Sequence, residues 1–133
     1  MTPPAAPVTA AMNEFWERLA RAPFREPLYI ATDPDGIDVY LSREVWEAHI
    51  LVRHDVLREY RQHLIQALTN PDHREWEESD SEGRYFIIHY ADIPVAFRSS
   101  PASHRIRVVL KYLKPAARQY KLTALVCTAY ILS

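Results

Sequence analysis

Glycine, cysteine and long apolar runs are scarce in this 133-residue sequence. A Walker loop or a dinucleotide-binding fingerprint needs several glycines within a few residues, and the chain holds only Gly36 and Gly83. The single cysteine, Cys127, excludes an internal disulfide and a cysteine-based zinc site. No apolar run approaches the ~20 residues that a membrane helix needs. We therefore expect a soluble cytoplasmic domain without a membrane partner.

The remaining composition is that of a globular domain with unevenly placed charge. Hydrophobic residues make up 48% of the chain and charged residues 25%, which argues against disorder. Residues 75–83 carry five acidic side chains and no basic one, whereas residues 84–133 carry eight Lys and Arg against Asp92 alone. A C-terminal third this basic can face an anionic partner such as RNA. Alternatively, the acidic stretch neutralises it within the fold.

The order of the predicted elements indicates an α+β fold. Residues 1–11 are interpreted as a disordered lead-in to a single domain, residues 12–133, and residues 75–83 as a solvated loop. We expect a helix at 12–21, a hairpin of 26–32 and 37–42, helices at 43–54 and 55–69, and strands at 84–91, 104–114 and 120–132. This segregation favours helices on one face of an antiparallel sheet of about four strands, with the first helix and the hairpin as additions.

Two apolar patterns are expected to pack against each other. One is a helical stripe, and the other is the apolar face of an alternating strand. They consist of Leu57, Leu64 and Leu68, and of Ile106, Val108 and Leu110. Ser42 and Asp55 stand at the N-termini of the predicted helices 43–54 and 55–69. Each is predicted to cap its helix with a side-chain oxygen.

The stretch WEAHILVRH, residues 46–54, concentrates reactive groups on one helix. His49 and Arg53 are four residues apart, so their side chains lie on the same helix face. A histidine can exchange a proton near neutral pH, and an arginine can hold a phosphate through two hydrogen bonds. With His54 at the helix end, the group fits half of a phosphodiester-cleaving site. It also fits a structural interpretation in which His49 packs under Trp46 and Arg53 is ion-paired.

Other chemistries find little support in the sequence. The first four histidines, at positions 49, 54, 63 and 73, show no His-x-x-x-His pair, so we expect no metal and no cofactor. There is no Gly-x-Ser-x-Gly turn, and Cys127 lies in the middle of a predicted strand. A serine or cysteine hydrolase is therefore not indicated.

Several segments taken together resemble a known nuclease group. In chain order they are WEAHILVRH, LTNPDH, RYFIIHY, RVVLKYL and LVCTAYIL. Over residues 43–132 this combination resembles the phage-associated nuclease-like domains grouped with barnase, EndoU, colicin and RelE toxins. The resemblance implies helices on a four-stranded antiparallel sheet, metal-independent RNase activity, RNA as substrate, and an acidic inhibitor protein as a further partner.

The resemblance also assigns site residues. They are His49, Arg53 and His54 on the helix, Lys111 on a strand, and Thr128 and Tyr130 on the last strand. For cleavage through the 2′-hydroxyl, His49 would act as general base or acid and His54 as a second proton carrier. Arg53 and Lys111 would hold the phosphate. The two last-strand hydroxyls, two residues apart and hence on one face, would position it.

A non-catalytic binding module is the competing hypothesis. It would keep the nuclease-like fold and bind RNA or an acidic protein through one basic strand face, formed by Arg105, Arg107 and Lys111. The net charge of −1 favours this hypothesis, because non-specific RNA binders usually carry a stronger positive field. Geometry separates the two: convergence of the assigned side chains in one cleft supports an enzyme, and dispersal supports the module.

Overall fold

The computed structural model describes residues 10–79, 84–98, 104–113 and 123–132. Most of the expected lead-in lies outside these residues, and the first helix begins at Ala10, earlier than expected. In chain order the elements are α1 (Ala10–Arg21), β1 (Pro27–Thr32), β2 (Asp38–Ser42), a π-helix (Val45–Ile50) continuous with α2 (Leu51–Arg53), a 3₁₀ helix (Asp55–Tyr60) continuous with α3 (Arg61–Thr69), β3 (His73–Ser79), β4 (Arg84–Asp92), a 3₁₀ turn (Val95–Phe97), β5 (Arg105–Leu113) and β6 (Thr123–Leu132). The α+β class is confirmed.

The six described strands form one sheet in the order β1-β2-β6-β5-β4-β3. The sheet is therefore larger than the four strands expected, and it is mixed rather than antiparallel. The hairpin joins it because β2 pairs in parallel with β6, with Val39 opposite Ala124. Val39 and Leu41 on β2 are fully buried, so this pairing lets the hairpin share the core of the C-terminal strands.

The acidic stretch contains a strand where a loop was expected. Residues 73–79 pair with β4 along their whole length, from His73 opposite Tyr90 to Ser79 opposite Arg84. Acidic residues are poor strand formers, but the hydrogen-bonded pairing with β4 compensates for this low strand propensity. Charges on such an edge strand also hinder pairing with another chain. The rest of the predicted loop, residues 80–83, lies outside the described residues.

The main core lies between α3 and one face of the sheet. α3 packs against β1, β4 and β5, and Nδ1 of His89 lies 2.8 Å from the carbonyl oxygen of Ala67. His89 is paired with Val108, so the sheet face carrying these two residues faces α3; we call it the inner face. All six residues predicted to pack together are fully buried, which confirms both apolar patterns.

Residues 45–53, which we call the edge helix, lie beside β6. The described pairing of β2 with β6 covers residues 123–125, and the π-helix contacts β6 as well as β2. The predicted cap is confirmed at Ser42, whose Oγ accepts a hydrogen bond of 3.1 Å from the backbone N–H of Val45. The prediction for Asp55 is wrong: His54 precedes the 3₁₀ helix without a side-chain cap. The backbone leaves the helical conformation at His54, with φ −139° and ψ 61°, and the 3₁₀ helix begins at Asp55.

Candidate functional site

A β-bulge at Cys127 decides which side chains of β6 face away from α3. Lys111 is paired with Leu125, whereas Val109, two residues earlier on β5, is paired with Thr128. Two residues on β5 thus correspond to three on β6, and Cys127 is the extra one. Because of this insertion, Thr128 lies on the same sheet face as Lys111. We call this face, opposite to the inner one, the outer face.

An open pocket of about 410 Å³ lies between the edge helix and the outer face. It is lined by His49 from the edge helix and by Lys111 from β5, with Tyr40 from β2 beside them. His49 is exposed and Lys111 is half-buried, and neither side chain makes a hydrogen bond or ion pair with another described residue. The pocket therefore offers a proton carrier and a cation, both free to meet a ligand.

Two other polar residues at this pocket, Glu44 and Cys127, are already engaged. Oε2 of Glu44 forms an ion pair of 3.0 Å with Nε of Arg25, and both residues line the pocket. Burial raises the pKa of the Cys127 thiol, although the nearby Lys111 charge opposes the shift. Its Sγ donates to the carbonyl oxygen of Leu125 at 3.8 Å. A protonated thiol in a strand is a poor nucleophile, so the chemistry of the pocket depends on His49 and Lys111.

Beyond the bulge, the outer face carries a row of aromatic and cationic side chains. His73, Tyr90, Arg107 and Tyr130 stand opposite one another on β3, β4, β5 and β6. Cζ of Arg107 lies 5.1 Å from the ring centre of Tyr130, and the ring of His54 lies 5.5 Å from the same tyrosine. The ring of His73 lies 5.7 Å from that of Tyr90. We call these five residues the Tyr–Arg row.

The predicted site residues thus fall into two neighbouring groups rather than one cleft. His49 and Lys111 line the pocket, and His54 belongs to the Tyr–Arg row together with Tyr130. Thr128 lies between the two groups along β6.

Of the two remaining predicted arginines, Arg53 stands outside both groups, whereas Cζ of Arg105 lies 5.6 Å from the ring centre of Tyr90 in the Tyr–Arg row. Arg53 is exposed and is not among the pocket-lining residues, and its side chain makes no hydrogen bond or ion pair with another described residue. Arg105 shares the outer face with Arg107 and Lys111, since these residues alternate with buried ones along β5. However, Nε of Arg105 is ion-paired with Oδ1 of Asp92 at 3.2 Å. Of the three predicted substrate-binding cations, Arg105 is the one that already has a carboxylate partner.

Tyr40 and Tyr90 are site residues that the sequence reasoning missed. Tyr40 reaches the pocket through the parallel pairing of β2 with β6. No local sequence pattern predicts this pairing. Tyr90 joins the Tyr–Arg row because it stands opposite Arg107. Alternation along RYFIIHY would have placed it on one face of a strand, but the strand opposite could not be read from that segment alone.

Comparison with known proteins does not assign a function to the chain. Within the described ranges, no three His, Cys, Asp or Glu side chains stand close enough together to hold a metal ion. Among the described helices, none has the length and apolar character needed to cross a membrane. No protein-family model, curated protein or solved structure matches this chain. A functional assignment therefore depends on the geometry of the pocket and of the Tyr–Arg row.

Proposed function

We propose that this protein is a metal-independent endoribonuclease with a fold of the barnase, EndoU, colicin and RelE type. The observation that carries the proposal is that His49 and Lys111, far apart in sequence, line one open pocket without partners among the described residues. Its volume of about 410 Å³ lies in the range of pockets that bind small ligands. A histidine and a free cation at such an opening suit chemistry at a phosphodiester.

The sheet arrangement supports the proposal. β6, β5, β4 and β3 are adjacent and antiparallel, and the helices at residues 45–69 precede them in the chain. A helical segment followed by a four-stranded antiparallel sheet is what the resemblance implies. In this interpretation β1 and β2 are an N-terminal addition that extends the sheet and contributes Tyr40 to the pocket.

The proposed reaction is transfer of the phosphoryl group to the neighbouring 2′-hydroxyl. His49 takes the proton of the 2′-hydroxyl, the 2′-oxygen attacks phosphorus, and the bond from phosphorus to the 5′-oxygen breaks. His54 gives a proton to the leaving 5′-oxygen, or the two histidines act in the opposite order. The products are a 2′,3′-cyclic phosphate and a 5′-hydroxyl.

Fixed charges and hydroxyls complete the proposed site. The Lys111 ammonium stabilises the charge that develops on the pentavalent phosphate. Arg53 is exposed and does not line the pocket, so in this proposal it reaches the phosphate only when RNA is bound. Thr128 and Tyr130, which share the outer face with Lys111, position it through their hydroxyl groups.

The test is cleavage of single-stranded RNA in EDTA by the wild-type protein and by His49→Ala. We expect the variant to lose ~10²-fold or more in rate, because a general acid or base contributes this much. Its melting temperature should be unchanged, since His49 is exposed. His104→Ala, which removes another exposed histidine, is the matched control and should cleave normally. Absence of cleavage by the wild type would refute the enzyme, and equal cleavage by His49→Ala would refute the assignment.

A non-catalytic RNA-binding module is the second candidate. Two observations favour it: the predicted site residues fall into two groups rather than one cleft, and the Tyr–Arg row beside the pocket combines aromatic rings with a cation. Such a surface can bind RNA without cleaving it. A wild-type protein that binds single-stranded RNA and leaves it intact in the assay above would favour the module.

A further inference from the structure

We infer that Arg107, with the tyrosine rings on either side of it in the Tyr–Arg row, forms a second nucleotide-binding subsite, which holds a phosphate other than the cleaved one and an adjoining base of single-stranded RNA. This inference deepens the proposed function, on which its place relative to a cleaved bond rests. It assigns the substrate class as single-stranded RNA of several nucleotides rather than a dinucleotide or a duplex.

The guanidinium of Arg107 is held in a fixed orientation. Its Cζ lies 5.1 Å from the ring centre of Tyr130 and 5.8 Å from that of Tyr90. Its Nε donates a hydrogen bond of 3.1 Å to Oη of Tyr90, and this hydroxyl donates in turn to Oε2 of Glu75 at 3.2 Å. A side chain that is already ordered loses little conformational entropy when it binds a ligand.

The terminal nitrogens of Arg107 remain available. Among the described residues, Nε is its one nitrogen with a hydrogen-bond acceptor. An arginine can grip a phosphate with two parallel N–H···O bonds. The Tyr–Arg row therefore presents a preorganised anion-binding fork on the outer face, flanked on both sides by tyrosine rings.

The two cations of β5 without carboxylate partners favour an extended polyanion. Arg107 and Lys111 are the two outer-face cations of β5 that lack a carboxylate partner among the described residues, whereas Arg105 is neutralised by Asp92. Phosphates repeat along RNA, so one strand can engage both free cations. The tyrosine rings beside Arg107 add stacking surfaces, and a base has to be unpaired to use them. An acidic protein segment would match the charges but leave the rings without a stacking partner.

The spacing between Arg107 and Lys111 makes binding at both cations depend on the length of the RNA. Arg107 and Lys111 are four residues apart on β5, which corresponds to about 13 Å along an extended strand. A dinucleotide has a single internal phosphate and cannot occupy both cations at once. An RNA of several nucleotides can place the cleaved phosphate at Lys111 and another phosphate of the same strand at Arg107.

The experiment measures binding of a dinucleotide and of an octanucleotide RNA to the His49→Ala protein at several salt concentrations. Adding Arg107→Gln should weaken octanucleotide binding by about tenfold and leave dinucleotide binding unchanged. The slope of log affinity against log salt should fall by about 0.7, as for one lost phosphate contact on a single strand. Adding Arg107→Lys keeps the charge but not the fork, and should weaken binding less. Arg18→Gln, which removes an exposed arginine on α1, is the control for net charge.

A second substitution guards against an effect on folding. Tyr130→Leu on the same background removes one stacking ring and should weaken octanucleotide binding about fivefold or more. An unchanged melting temperature for each variant assigns the loss to binding. A melting temperature lowered by Arg107→Gln, with Arg107→Lys and Tyr130→Leu binding normally, would overturn the subsite and leave Arg107 a structural residue.

The remaining outcomes separate this inference from the proposed function. Octanucleotide binding that depends on Arg107, in a wild-type protein that never cleaves, would refute the nuclease and support the subsite as part of a binding module. Cleavage by the wild type together with unchanged octanucleotide binding by the Arg107→Gln variant would overturn the subsite alone. Equal weakening for both RNA lengths, or binding of an acidic peptide in place of RNA, would also overturn it.

Discussion

His54 at the end of the edge helix lies with its ring 5.5 Å from that of Tyr130 on the last strand. This contact brings the helix motif and the C-terminal motif together on the outer face of the sheet. It forms because the edge helix lies beside β6, where it contributes Trp46 and Ile50 to the core. The same placement brings His49 to the pocket that Lys111 lines.

Lys111→Gln should lower the kcat/KM for RNA cleavage by ~10²-fold or more. The ammonium is proposed to stabilise charge that develops in the transition state, and removing one such group typically costs 10²–10³-fold, about 3–4 kcal/mol. The measurement is steady-state cleavage in EDTA at constant salt, with Arg18→Gln as the control for an exposed charge. If both variants cleave at the same rate, Lys111 does not act at the reacting phosphate.

Arg53→Lys should reduce cleavage without changing the melting temperature. Arg53 is exposed, and its side chain makes no hydrogen bond or ion pair with another described residue, so its replacement should cost the fold little. An ammonium cannot reproduce the two-point grip of a guanidinium on a phosphate. The kcat/KM of this variant is compared with that of Arg58→Lys, another exposed arginine of the same helical region. Identical values for the two would place Arg53 outside the site.

Acid should destabilise the fold through two buried histidines. Burial lowers the pKa of His63, whose ring nitrogens both lack a hydrogen-bond partner among the residues that the structure describes. Burial also lowers the pKa of His89, although its bond to the Ala67 carbonyl opposes the shift. Since both folded-state pKa values lie below the unfolded value of about 6.5, the unfolded chain binds more protons once the pH falls below that value. The free energy of unfolding is therefore highest above about pH 6.5 and declines towards the folded-state pKa values.

The measurement is urea unfolding from pH 7.5 down to pH 4.5. Carboxylates also titrate at the acid end, so His63→Phe, which fits between the rings of Tyr60 and Phe97, is the comparison. Wild type should lose up to about 1.4 kcal/mol per pH unit more than this variant below pH 6.5. Parallel curves for the two proteins would show that His63 does not resist protonation.

Tyr112→Phe should lower the free energy of unfolding by about 1–3 kcal/mol. Oη of Tyr112 donates a hydrogen bond of 3.0 Å to Oδ2 of Asp33, and this carboxylate is only 4% exposed. Removing the donor leaves a buried acceptor without that partner. Tyr29→Phe, which removes a hydroxyl from a half-exposed tyrosine, should stay within ±0.5 kcal/mol of wild type. Urea unfolding at pH 7.5 of both variants tests the difference, and equal losses would contradict it.

The hairpin and the helical stripe could be predicted because their causes are local. Gly36 in the β1–β2 turn has φ +81°, a conformation that glycine adopts without strain. Oδ1 of Asp33 accepts hydrogen bonds from the backbone N–H groups of Asp35 and Ile37, at 2.9 and 2.8 Å. These interactions span a few residues, so the residue types in the turn are enough to indicate it.

β3 and the parallel pairing of β2 could not be predicted, because their causes are distant in sequence. β3 is acidic and becomes a strand by pairing with β4, which outweighs its poor propensity. β2 reaches the sheet through β6, more than eighty positions along the chain. Without that pairing, Tyr40 would not line the pocket.

The candidate site divides in the same way. The sequence by itself determined that Thr128 and Tyr130 share one strand face, because side chains alternate along a strand. Only the tertiary structure decided that this is the face of Lys111, since the bulge at Cys127 shifts the alternation by one residue. Without the extra residue, both hydroxyls would turn towards the inner face and α3. A bulge depends on how two strands fit together, and the sequence of one strand does not specify that fit.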